Sequence, residues 1–248
     1  MATLVAFHAH PDDEAIATGG VMTKAAAGGH RVVLVVATRG ERGEIPESGL
    51  MPGETLAQRR VAETHAAAAI LGVSRVEFLG YVDSGMAGTP ENDAPEAFCN
   101  ADIDEAARRL ADILVEEGAD VLTAYDERGV YGHPDHVQVH RVGVRAGELA
   151  RTPKVYLATV NKDHLERTGF DVGDLDLGVR EERITTTIDV RELLDVKRAA
   201  MAAHASQIGE ASFFLALPPD QFAVGFGQEC FILVGAPPGA AETSLFDD

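Results

Sequence analysis

The residues best suited to chemistry come first in the chain, in the run His8-Ala9-His10-Pro11-Asp12-Asp13-Glu14. His10 and Asp13 are three residues apart, so at a helix start both can face one side of the first turn. An imidazole paired with a carboxylate suits zinc, which in catalytic sites takes three protein ligands and keeps a position for water. The third ligand must come from elsewhere. His133-Pro134-Asp135-His136 repeats the pattern of histidine, proline and acid, and His133, His136 and His140 are all candidates that spacing does not separate. Asp12 can cap the helix, and Asp13 and Glu14 suit its positive end. His8 alternates with His10 along a strand and is read as structural. His30, His65 and His164 have no partner pattern and read as surface or satisfied core residues, and Glu41 and Glu44 as solvated loop charges.

These residues need a scaffold. Residues 4–7 are a short apolar run, 13–27 read as a helix stopped by Gly28-Gly29, and 32–37 are strongly β-branched, which together make a βαβ unit. Further strands are expected at 76–79, 121–125, 155–160, 183–188 and 231–234. Further helices are expected at 55–71, 101–117, from the second histidine motif to about 150, and at 191–205. This alternation predicts an α/β, Rossmann-like, mostly parallel sheet flanked by helices on both faces. Ligands of such sheets sit beyond the carboxyl ends of the strands. Both histidine motifs fall there, as do the long loops at 39–53 and 82–100, which could close as lids. The reading is one domain over 1–236, with a disordered tail at 237–248; residues 161–178 and Phe213-Phe214-Leu215 could form a lid or an interface.

Composition narrows the partners. Acidic residues outnumber basic ones 40 to 21, a formal charge of −19, which repels polyphosphates and anionic membranes but not a neutral sugar. Nucleic acid and membrane are therefore excluded as partners, while a homo-oligomer is compatible. Cys99 and Cys230 lie far apart and form no disulfide framework, which fits a reducing cytosol. The first apolar run is too short for a signal peptide, and no run approaches the ~20 residues of a membrane span, so a cytoplasmic location is expected. The first strand-turn-helix lacks G-x-G-x-x-G and puts proline and three acids where phosphate would meet backbone N–H groups, which argues against a dinucleotide.

The paired motifs His10-Pro11-Asp12-Asp13-Glu14 and His133-Pro134-Asp135-His136 resemble those of the PIG-L/LmbE-like family of zinc-dependent N-acetylglucosaminyl deacetylases, over roughly residues 4–140. The resemblance implies a hydrolase that removes an acetyl or other short acyl group from the amine of an N-acetylglucosamine-containing small molecule. It implies one zinc per chain, with His10, Asp13 and His136 as ligands and Asp12 as general base. His133 would steady the oxyanion as an imidazolium, oriented by Asp135, and Tyr131 would also reach the reacting carbonyl. Arg60 and Asp83 would hold sugar hydroxyls. The stretches Asp83-Ser84-Gly85-Met86-Ala87-Gly88-Thr89 and Lys197 to Gln207 resemble the mycothiol-pathway branch. That branch holds a deacetylase acting on N-acetylglucosaminyl-inositol and an amidase acting on mycothiol S-conjugates. The amidases tend to carry a lysine soon after the first motif, where this chain has Ala17 and Thr18, which disfavours the amidase and leaves the substrate open among N-acyl amino sugars, a secondary-metabolite glycoside or a bacillithiol-like precursor included. A non-catalytic metal-binding protein of the same fold is the third alternative.

Overall fold

Strand β1, Thr3–His8, is apolar from Leu4 to Phe7, and these four side chains are wholly buried. Its parallel neighbour β2, Arg31–Thr38, is buried from Val32 onwards. Burial on both faces explains why these strands read as continuous apolar runs rather than as alternation. The computed structural model describes residues 1–46, 49–173, 175–237 and 239–246. Its sheet adds β3 (Arg75–Tyr81), β4 (Val121–Tyr125), β5 (Lys154–Thr159), β6 (Thr186–Asp189) and β7 (Gln228–Leu233), in the order β3-β2-β1-β4-β5-β7-β6. The first five strands are parallel, whereas β7 runs antiparallel to both β5 and β6. Strand order reverses between β1 and β4, the crevice where ligands of such sheets bind.

The helices are α1 (Asp13–Ala17), α2 (Gly19–Ala27), α3 (Leu56–Leu71), α4 (Ile103–Glu117), α5 (Gly129–Gly132), α6 (Pro134–Ala150), α7 (Lys162–Thr168), α8 (Leu194–Ala203), α9 (Phe213–Ala216) and α10 (Pro219–Phe226). Helices α4 and α6 pack together as one layer, and α3, α8 and α2 form another. Thr55 and Gln58 form a capping box that starts α3, and Asp102 caps α4. Gly143 lets α6 lie close on the sheet, because a Cβ there would come within 2.6 Å of the Ala124 Cβ. Among the described residues no helix is long and apolar enough to cross a membrane.

Three expectations change. The single helix expected over 13–27 is broken at Thr18, whose hydroxyl is engaged by His8 Nε2 at 2.8 Å. Beyond the break, Gly20 and Val21 donate their N–H groups to the Glu229 carboxylate from β7, each at 2.8 Å. Helix α10 was not anticipated, although Pro219 at its first position and the Phe222–Phe226 spacing are recognisable signals. Finally, residues 239–246, expected to be disordered, lie against the domain. Leu245 is buried, Phe246 stacks on His30, and Glu242 accepts from Tyr156 and Thr186.

Candidate active site

The site grows from the ends of β1 and β4. Past β1 the chain turns sharply at Asp12, which has φ 97° and ψ −32°, a left-handed conformation that a residue with a Cβ adopts only under constraint. The constraints are visible. The Asp12 N–H donates to Glu14 Oε2 at 2.9 Å, and Glu14 Oε1 in turn meets His204 Nε2 at 2.5 Å, both side chains being wholly buried. Arg60 donates to the Pro11 carbonyl and to Asp12 Oδ2, the latter at 3.3 Å. Asp12 makes no side-chain cap bond, so the expected helix cap is corrected: its carboxylate turns to Arg60 instead. Burial pushes the Asp12 carboxyl up to about 6 against the pull of Arg60.

The turn after β4 is built around another left-handed residue, Val130, with φ 68°. The buried Asp126 carboxylate accepts the Arg128 and Val130 N–H groups and the Thr159 hydroxyl. Gly129 has φ 61°, and a Cβ on it would lie 2.5 Å from the His136 Cβ, so only glycine lets this turn reach the start of α6.

The two turns meet at Asp13. Its Oδ2 is 3.5 Å from His10 Nδ1 and 3.4 Å from His136 Nε2. Ligands ~2.0–2.1 Å from a tetrahedral zinc are separated by roughly 3.4 Å, which these two separations match. A second observation agrees: both ring nitrogens of His136 are buried without a hydrogen-bond partner among the described residues. The donor atoms of His10, His133 and His136 also gather within 4.8 Å of one another, as do those of His10, Asp83 and Asp135. Burial alone would lower the His10 pKa, but Asp13, Asp135 and Asp83 outweigh it and raise it well above the usual value. Burial would likewise raise Asp13, but His136 and His10 hold it well below the carboxylate range.

The remaining expected residues lie close by. The rings of Tyr131 and His136 are 5.0 Å apart, and those of Tyr131 and His133 6.2 Å. Burial and the neighbouring carboxylates raise the Tyr131 pKa, so its hydroxyl keeps its proton. His133 Nδ1 accepts the Asp135 backbone N–H at 3.1 Å, and burial with the nearby His10 and His136 lowers its pKa to about 4. With Nδ1 accepting, the ring's proton sits on Nε2, so this structure does not show the imidazolium that the resemblance implies. The Asp135 carboxylate is turned to Ser84 and His10 instead. Arg60 is nearly buried; its terminal nitrogens are bonded to Gly40, Pro11 and Asp12, while its Nε has no partner among the described residues. Asp83 accepts the Arg42 and Gly85 N–H groups and lies 3.6 Å from His10 Nε2. Glu41, expected to be solvated, accepts the Asp83 N–H. His140 binds the Tyr125 carbonyl through Nδ1 and belongs to neither cluster of metal-capable groups found among the described residues.

A family described as PIG-L, GlcNAc-PI de-N-acetylase, matches residues 5–147, more than half of the chain. The chain belongs to the PIG-L family. A 1D-myo-inositol 2-acetamido-2-deoxy-alpha-D-glucopyranoside deacetylase of Acidothermus cellulolyticus is 43% identical over 94% of this chain and 88% of its own. A protein of the same name from Thermomonospora curvata is 40% identical over 96% of this chain and 94% of its own. Among solved structures, the N,N'-diacetylchitobiose deacetylase of Pyrococcus horikoshii superposes with a TM-score of 0.66 at 23% identity, covering 93% of this chain and 83% of that one, a likeness of fold.

The PIG-L match ends before several residues that shape the site. His204, which holds Glu14, and Lys197 and Glu229, which pair in the interior and anchor the start of α2, all come later. No spacing rule pairs His204 with a residue 190 positions away. Tyr125 was also passed over as a strand residue. Its ring stacks on His136 at 4.6 Å, and its hydroxyl meets His8 Nδ1 at 2.7 Å. The expectation that His8 is structural agrees with these contacts, since burial lowers its pKa to about 4 and keeps it neutral between Tyr125 and Thr18.

Proposed function

We propose that the chain is a metal-dependent N-deacetylase that removes the acetyl group from an N-acetylglucosamine-containing small molecule, with an N-acetylglucosaminyl-inositol as first candidate. The observation that carries this reading is the meeting of two turns more than a hundred residues apart, with Asp13 Oδ2 between His10 Nδ1 and His136 Nε2. The inositol substrate is supported by the names of relatives about 40% identical over nearly the whole chain. His10, Asp13 and His136 would hold one zinc ion, which suits a donor set of two imidazoles and a carboxylate. When bound, zinc supplies a lowered water pKa, towards ~7, and polarises the amide carbonyl.

The chain's own residues do the rest. Asp12, fixed by Arg60 and Glu14, accepts a proton from the attacking water and returns it to the departing amine. His133 offers its Nε2–H to the carbonyl oxygen as negative charge develops there, its Nδ1 being occupied by the Asp135 N–H. Tyr131 offers a second hydroxyl donor from the same side. Asp83, next to His10, accepts from a sugar hydroxyl.

The test is acetate release from N-acetylglucosaminyl-inositol and simpler N-acetylglucosamine derivatives, with zinc content measured on the same samples. The wild-type chain should bind one equivalent and release acetate. Asp12→Asn should keep the zinc and lose at least ~10²-fold in kcat, whereas His136→Ala should lose both. Zinc bound with no acetate released from any of these compounds would overturn the reading, and near-wild-type turnover by Asp12→Asn would remove Asp12 as the base.

A further inference from the structure

The carboxylate of Asp135 is wholly buried and has no spare oxygen. Its Oδ2 lies 3.0 Å from His10 Nε2 and accepts the Ser84 N–H, also at 3.0 Å. Its Oδ1 accepts the Ser84 hydroxyl. Ser84 is itself fixed, since its hydroxyl accepts the Cys99 N–H at 3.0 Å and its carbonyl accepts from the Asn92 side chain at 2.6 Å. An imidazole that donates from Nε2 has Nδ1 free as an acceptor, and His10 Nδ1 is the atom that faces Asp13.

We propose that Asp135 and Ser84 are positioning residues for the metal ligand His10. Asp135 holds His10 in the Nε2–H tautomer and turns Nδ1 to the metal, and Ser84 locks Asp135 in place. The inference rests on the metal site of the preceding section. It assigns Asp135 a role through His10 rather than through His133, which meets only the Asp135 backbone N–H. A carboxylate behind a metal-bound histidine orients the ring and raises its basicity, and loss of such a partner weakens metal binding by about 10- to 100-fold.

The experiment measures zinc affinity by chelator competition and the His10 tautomer by nitrogen NMR. In the wild-type, zinc-loaded chain His10 should carry its proton on Nε2 and bind zinc through Nδ1. Ser84→Ala should bind zinc about tenfold more weakly, with turnover largely restored at saturating zinc. Wild-type affinity in Ser84→Ala, or a wild-type His10 protonated on Nδ1, would overturn the proposal. The tautomer is read on the unmodified chain, so it decides the matter even if Ser84→Ala folds poorly. A wild-type chain that binds no zinc would instead overturn the metal site itself.

Discussion

Arg60 carries its guanidinium into the turn that holds Asp12, bonding the Pro11 and Gly40 carbonyls and the Asp12 carboxylate. A residue so placed is in position to act on the proposed base. Arg60→Gln should therefore lower kcat by about 10²-fold with little change in KM, measured by steady-state acetate release. A raised KM at unchanged kcat would return Arg60 to the sugar-binding role that the sequence resemblance implied. At this scale the sequence was informative wherever chemistry and spacing coincide. His10 and Asp13 stand three residues apart at a helix start, and the second motif offers three histidines that only the resemblance narrows to His136. What it could not show was which polar atoms would find each other across the chain. The Asp135 carboxylate turned to Ser84 and His10 rather than to His133, and Glu14 found His204. Such choices depend on which groups the fold buries together, and no local pattern encodes them.

The start of α2 rests on a buried ion pair between Lys197 of α8 and Glu229 of β7. The Glu229 carboxylate also takes the first free N–H groups of α2, a favourable place for a negative charge. Removing only the cation would leave a buried carboxylate without its counter-charge, at a cost of about 3–5 kcal/mol. Lys197→Met should thus lower Tm by roughly 10 °C, and Lys197→Met with Glu229→Gln should recover part of the loss. Equal Tm values for the single variant and the wild type would show that the pair contributes no stability. Strands β1, β2 and β4 were legible because burial on both faces demands apolar side chains at every position. The break at Thr18 was not legible, because the groups that hold its two sides, His8 and Glu229, are brought there by the fold. Nor could alternation of apolar residues reveal that β7 runs against its neighbours.

At the scale of the whole molecule, the end of the sheet opposite the site carries its own electrostatic tie. Glu117 closes α4 and pairs with Arg31 and Arg75, which open β2 and β3. Hydrogen bonding from Arg31 holds the Glu117 pKa down at about 2, against an ordinary glutamate value of about 4.3. A depressed carboxyl stabilises the fold fully above the unfolded value and loses that contribution as pH falls through the folded one. Glu117→Gln should therefore melt below wild type at neutral pH, and the gap should close between about pH 4.3 and 2. A gap independent of pH would show that the loss comes from packing alone. Activity per folded molecule should not change, because the tie lies at the amino ends of the strands. The antiparallel strand has a further consequence, one of timing. Strand β7 lies between β5 and β6, both of which are synthesised before it. As the chain leaves the ribosome, residues 186–189 have no strand to pair with until residues 228–233 emerge. The same segment brings Glu229, so the helix start that follows the first histidine turn stays unanchored until then. The end of the sheet that carries the first histidine turn is completed only after residues 228–233 have been made.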